Sequence, residues 1–219
     1  MDRPSLYSIN IWTQWEQGIL QIMTEALSQL DSYVDTDYTE NDITAELHKI
    51  ILRVRFDRQR VTFGNIIFQT QNQPLNAAGE QENQACLRKK PDLQWVFNDE
   101  NASTPEKSQR YFTIECKCLL TNTEDQNYVK KGIRRFTLDE WGYGRNEKSG
   151  MMVAYVKDID TNKHLRQVNK HNERYVYPLL KICSDENEDV CRYVQRFETR
   201  EFEPKRFKLH HLWTSVSKK

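Results

Sequence analysis

The chain has 219 residues, room for one domain of ordinary size with a sizeable core. Its apolar fraction is 37 % and its charged fraction 29 %, and its longest apolar runs are far too short to cross a bilayer, which excludes a helical membrane protein. The formal net charge is zero, but residues 1–50 hold two Lys+Arg (Arg3, Lys49) against nine Asp+Glu; from 32 of each in the whole chain, that leaves 30 against 23 for the rest. A basic body suits a polyanionic partner, although a charge run is most often a solvated face. Five cysteines at irregular spacing predict no disulfide framework. The opening residues lack the basic start and apolar block of a secretory signal, so a cytoplasmic setting is expected.

In chain order, Ile11, Trp12, Trp15, Ile19, Ile22, Met23, Leu27 and Leu30 recur at helical spacing and predict an amphipathic helix over 9–34. That helix carries no chemistry of its own, although it could serve a dimer contact, and residues 1–40 read as an N-terminal helical extension of the domain. A second helix is predicted over 41–57, with Ile43, Leu47, Ile50, Ile51 and Val54 as its apolar stripe and Glu46 at the stripe's edge. Residues 61–70 read as a strand with a turn or bulge at Gly64-Asn65, and 71–88 as a polar loop. Strands are predicted at 91–97 and 111–120, joined by a polar connection that suits an antiparallel return. A helix over 127–141 follows, with Val129, Ile133 and Phe136 on one face and Lys130/Arg134 and Lys131/Arg135 stacked at i,i+4. The strand 151–156 then completes a βαβ crossover, which puts 111–120 and 151–156 parallel and close. Residues 158–174 form a second basic, helical segment. Strands near 175–183, 190–200 and 206–214 make 158–219 a C-terminal elaboration of one α/β domain with a central mixed sheet flanked by helices.

The chemistry gathers on the middle strands. Alternation puts Tyr111, Thr113, Glu115 and Lys117 on one face and Phe112, Ile114, Cys116 and Cys118 on the other. Ionisable groups on a strand built to be buried need pairing or an ion. A hard divalent cation, Mg²⁺ with Mn²⁺ as a substitute, would satisfy Asp92 and Glu115, with the Cys116 carbonyl as a third oxygen. Lys117 would stand beside an attacking water or the developing charge.

Pro91-Asp92 followed by Glu115-Cys116-Lys117 on a strand resembles the PD-(D/E)xK superfamily of nucleases. Glu46, on a helix before those strands, matches the accessory acidic ligand of many members. The segments 128–136 and 151–156 look like a bacterial restriction-endonuclease-like group associated with defence and mobile elements. The likeness covers roughly residues 41–157. It implies a restriction-endonuclease-like core and a metal-dependent endonuclease acting on DNA, in restriction or anti-phage defence. Asp92, Glu115 and Lys117 would be catalytic, and Glu46, Asp92, Glu115 and the Cys116 carbonyl would hold the metal. Lys130, Lys131, Arg134 and Arg135 are expected to meet the phosphate backbone. A homodimer or a larger defence complex is compatible with one active site that nicks one strand.

The competing readings are a buried ion-pair network without metal, a catalytically idle nucleic-acid-binding or assembly subunit, and an RNA-directed nuclease. A zinc pair at Cys116 and Cys118 is disfavoured because both face the apolar side, and a cluster of Cys183, Cys191, His210 and His211 is the less favoured reading of scattered core residues. Glu203-Pro204-Lys205 repeats the motif's letters, but its proline marks a turn. The chain lacks a Ser/His/Asp order, a P-loop and a Gly-x-Gly-x-x-Gly stretch, so acyl transfer and nucleoside-triphosphate chemistry have no support.

Overall fold

A computed structural model describes residues 6–35, 37–58, 64–68, 90–98, 108–145, 147–158, 160–183 and 189–216. Two helices open the chain, α1 (Leu6–Leu30) and α2 (Glu40–Asp57), followed by strands β1 (Asn65–Phe68), β2 (Leu93–Asn98) and β3 (Gln109–Leu119). A short helix α3 (Asn122–Asn127) leads through a π turn (Tyr128–Gly132) and a 3-10 turn (Ile133–Phe136) to β4 (Ser149–Val156). Helix α4 (Thr161–Arg174) and strands β5 (Lys181–Ile182), β6 (Val190–Phe197) and β7 (Phe207–Ser215) complete it. The seven strands form one mixed sheet in the order β1-β2-β3-β4-β7-β6-β5, parallel at β3/β4 and β4/β7 and antiparallel elsewhere. This is the expected α/β architecture, with the expected parallel pairing of β3 and β4. No helix among the described residues is long and apolar enough to cross a membrane.

Every residue of β4 is buried, because a central parallel strand is covered on both faces. Alternation then builds two cores. Met151, Val153 and Tyr155 pack with Leu93, Trp95, Phe112, Ile114 and Cys116 beneath α1 and α2. Met152, Ala154 and Val156 pack with Tyr128, Val129, Ile133, Phe136 and Val168 on the other side. Helix α1 adds Ile19, Ile22, Met23, Leu27 and Leu30 to the first of these cores. Its Trp12 indole donates to Ser149 Oγ at 3.0 Å, Trp15 stacks on Phe97, and Glu16 accepts from Lys208 and His210, each at 2.8 Å.

The predicted helix 127–141 is not continuous. It breaks at Gly132, where the backbone lies close on β3 and β4: a Cβ there would be 2.4 Å from Met152 Cε, the far end of a flexible side chain, and 3.7 Å from Lys117 Cγ. Its φ of −114° and ψ of −83° leave the helical region, and the π and 3-10 turns on either side absorb the change of pitch. This breaks the i,i+4 register expected between Lys130–Lys131 and Arg134–Arg135. The tail strand 175–183 is reduced to Lys181–Ile182. The 61–70 strand is Asn65–Phe68 where described, and the 71–88 loop lies outside the described residues.

Candidate active site

The site is made where β2 leaves β3. Their register pairs Leu93 with Ile114 and ends there, so one step further Asp92 comes opposite Glu115. Beyond that point the backbone groups of Cys116 and Cys118 on the β2 side have lost their strand partner, and such groups must be satisfied by something else. Asp92 Oδ2 accepts from the Cys116 N–H at 2.7 Å, and Glu40 Oε2 accepts from the Cys118 N–H at 2.9 Å. Two carboxylates thus continue the ladder in place of a strand.

Glu40 is the first residue of α2. A capping box fixes that start: Thr39 Oγ1 accepts from the Asp42 N–H, and Asp42 accepts from the Thr39 N–H. Glu46, the acid expected from the resemblance, instead pairs with Lys49 at 2.6 Å and has no ion pair or hydrogen bond with Asp92, Glu115 or Lys117 among the described residues. Six residues on from Glu40, it is turned by about 240° and displaced by about 9 Å along the helix, which carries it away from the strand edge.

Lys117 stands at the centre. Its ammonium is 2.8 Å from Glu40 Oε1, 2.8 Å from Glu115 Oε1 and 3.7 Å from Asp92 Oδ2, and it donates to the Cys116 carbonyl at 2.5 Å. Arg135 does not face solvent as expected. Its guanidinium pairs with Glu115 Oε1 and lies 4.4 Å from the centre of the Trp141 ring. The Glu115 side chain is wholly buried. Lys130 and Lys131 are exposed, and Arg134 lies over Tyr175.

Burial pushes the Glu115 carboxyl up to about 7 despite the opposing charges of Lys117 and Arg135. Burial also raises Asp92, against the pull of Lys117. Burial alone would lower Lys117, but Glu115, Asp92 and Glu40 outweigh it and hold its ammonium far above the ordinary lysine range.

Counting formal charges, three acids (Glu40, Asp92, Glu115) face two cations (Lys117, Arg135), so one negative charge is left over. Among the described residues, Glu115 Oε2 is buried with no hydrogen-bond partner, as is Arg135 Nε. Among the described residues no group of three or more His, Cys, Asp or Glu side chains is arranged to hold a metal ion; the point shared by the three acids is where Lys117 Nζ lies. The donor set nonetheless fits a hard divalent cation in kind: it consists of oxygens, carries an excess negative charge and includes an unpartnered carboxylate oxygen.

The alternative metal pairs fare worse. Cys116 is buried in the apolar core and Cys118 packs against it. His211 Nδ1 bonds to the Tyr128 hydroxyl at 2.8 Å and its Nε2 to Gln195 Oε1 at 3.1 Å, while His210 is bonded to Glu16, so both imidazoles are committed to structural hydrogen bonds.

Sequence reasoning missed Glu40 and Arg135. The Thr39-Glu40-Asn41-Asp42 capping signature could have placed Glu40 at the helix start. No local signal marks Arg135, because its inward turn depends on the irregular backbone after Gly132.

No family model matches the chain, and neither a curated protein nor a solved structure does. Its own geometry defines it as an α/β protein whose mixed sheet opens between two neighbouring strands onto a cluster of three carboxylates and two cations.

Proposed function

We propose that the protein is a Mg²⁺-dependent endonuclease that hydrolyses DNA phosphodiester bonds in the cytoplasm, in restriction or anti-phage defence. The observation that carries the reading is the convergence of Asp92, Glu115 and Lys117, from two neighbouring strands, on one point at a sheet opening. The order of motifs along the chain supports the nuclease class and its setting.

When bound, a divalent cation would supply a Lewis acid for the phosphate and acidify a water; Asp92, Glu115, the Cys116 carbonyl and Glu40 are the groups that would hold it. Lys117 stays protonated at any working pH, so it serves as a charge and hydrogen-bond donor to the developing oxyanion and not as a base. Arg135 pairs with the same Glu115 oxygen that Lys117 reaches and keeps the carboxylate oriented. Asp92 and Glu40 are themselves fixed by the Cys116 and Cys118 N–H groups, which holds the cluster in place before substrate arrives. Lys130 and Lys131, exposed on the adjoining turn, would meet the phosphate backbone.

One observation favours a second reading. Lys117 and Arg135 already neutralise most of the acidic charge, as they would in a catalytically idle nucleic-acid-binding subunit. Incubation of supercoiled plasmid with Mg²⁺ or Mn²⁺ separates the two. The nuclease reading expects nicking that stops in chelator and in Lys117→Ala; binding without cleavage under every metal tested supports the idle subunit. Parallel digestion of structured RNA decides between nucleic acids.

A further inference from the structure

Helix α4 ends in a hydrogen-bonded cap: the Tyr177 N–H donates to the Asn172 carbonyl at 2.9 Å and the Val176 N–H to the Glu173 carbonyl at 3.1 Å. This is the Schellman arrangement, in which the residue at the turn takes a left-handed backbone and is usually glycine or asparagine. Here it is Val176, at φ 58°, the one non-glycine residue with positive φ among those described. A β-branched side chain is the least suited to that conformation. Nor is it compensated by packing, since Val176 is 91 % exposed.

The surroundings hold this protruding side chain rigidly. Its neighbours Tyr175 and Tyr177 stack on each other with ring centres 5.7 Å apart, and the Tyr177 hydroxyl bonds to Thr137 Oγ1 at 2.9 Å. Arg134 lies over the Tyr175 ring at 5.9 Å. The turn that sends Arg135 into the carboxylate cluster therefore sends Arg134 onto the base of the protrusion.

The flank is basic. Lys163, Arg166, Lys170 and Arg174 are all exposed, and at 3.6 residues per turn they form one stripe along α4 that runs to Val176. Lys170 and Arg174, nearest the tip, make no ion pair among the described residues, and Glu173 is the one acid on the helix. A strained, rigid, solvated apolar tip at the end of a basic stripe matches a wedge inserted at a base step, with the stripe on the phosphates.

We infer that Val176 is a wedge that inserts between base pairs of duplex DNA while Lys170 and Arg174 grip the adjoining backbone. This rests on the DNA reading above for the partner, and deepens it by predicting a deformed duplex. The test uses the full chain, Ca²⁺ in place of Mg²⁺, and a 20-base-pair duplex carrying 2-aminopurine at its pyrimidine–purine steps. Wild type should bind and raise the fluorescence at one or more of these steps. Val176→Gly and Val176→Asn, both at ease in a left-handed backbone, should keep or raise the melting temperature yet bind about tenfold more weakly and lose the fluorescence rise. Unchanged binding and fluorescence in both variants would overturn the wedge and leave the nuclease reading standing, as would a fall in melting temperature in both, which would make Val176 structural. Absence of duplex binding by wild type would remove the DNA partner and the wedge together.

Discussion

Replacing Lys117 with alanine tests whether its ammonium is what makes three clustered acids tolerable. The change removes contacts of 2.8 Å to both Glu40 and Glu115 and leaves Arg135 alone against the three carboxylates. Breaking a buried pair by removing one partner costs about 3–5 kcal/mol. Glu40 is 34 % and Asp92 24 % exposed, so solvent screens part of their share and the lower end, about 3 kcal/mol, is expected. For a chain of this size that is a fall in melting temperature of roughly 6–12 °C. The vacated place is lined by oxygens, so 10 mM Mg²⁺ or Mn²⁺ should stabilise the variant by about 1.4–2.7 kcal/mol over its stability in chelator if the ion is present at 10 to 100 times its dissociation constant. Urea titrations at pH 8 in chelator and in each metal read both effects. A variant as stable as wild type in chelator would refute the neutralising role of Lys117. A variant whose stability does not change when metal is added would refute the notion that the acids can hold a cation.

Glu40→Gln should lower plasmid nicking by at least about a hundredfold, on the scale of removing one charge-stabilising group, whereas Glu46→Gln should stay near wild type in the same assay. Glu16 and Glu147 should give opposite pH slopes in denaturation experiments. Burial would raise Glu16, but bonds and charges from His210 and Lys208 hold it down to about 2. Its contribution is therefore present above the ordinary carboxyl value of 4.5 and lost as pH falls towards 2, so the deficit of Glu16→Gln should be about 3 kcal/mol at pH 7 and vanish near pH 2. Burial pushes His210 down against the opposing pull of Glu16. Burial pushes Glu147 up to about 8, so it favours the fold at low pH and loses that contribution as pH rises towards 8; Glu147→Gln should gain on wild type between pH 5 and 9, and an unchanged difference would contradict the assignment. Gly132→Ala brings a Cβ 2.4 Å from Met152 Cε, the far end of a flexible side chain, and should destabilise by about 1 kcal/mol, read by thermal melting.

The strands' chemistry was legible because alternation is a property of the backbone: once 111–120 is a strand, Glu115 and Lys117 share a face whatever the rest of the chain does. The same parity sent Cys116 and Cys118 into the apolar core. The βαβ crossover followed from the order of elements, and β3 and β4 are parallel neighbours, the pairing that a long helical connection permits. What lay beyond the sequence was the choice of helix acid. Glu40 and Glu46 both belong to α2, and only the departure of β2 from β3 at Leu93, which leaves two N–H groups open beside the helix start, decides that Glu40 is the one used. The inward turn of Arg135 likewise depends on how closely the backbone at Gly132 can approach Met152. Periodicity is set by bonds between neighbours in sequence and can be read from them; the meeting of a helix end, a strand edge and an arginine is set by packing between segments far apart in the chain, and exists only once the sheet has closed over its two cores.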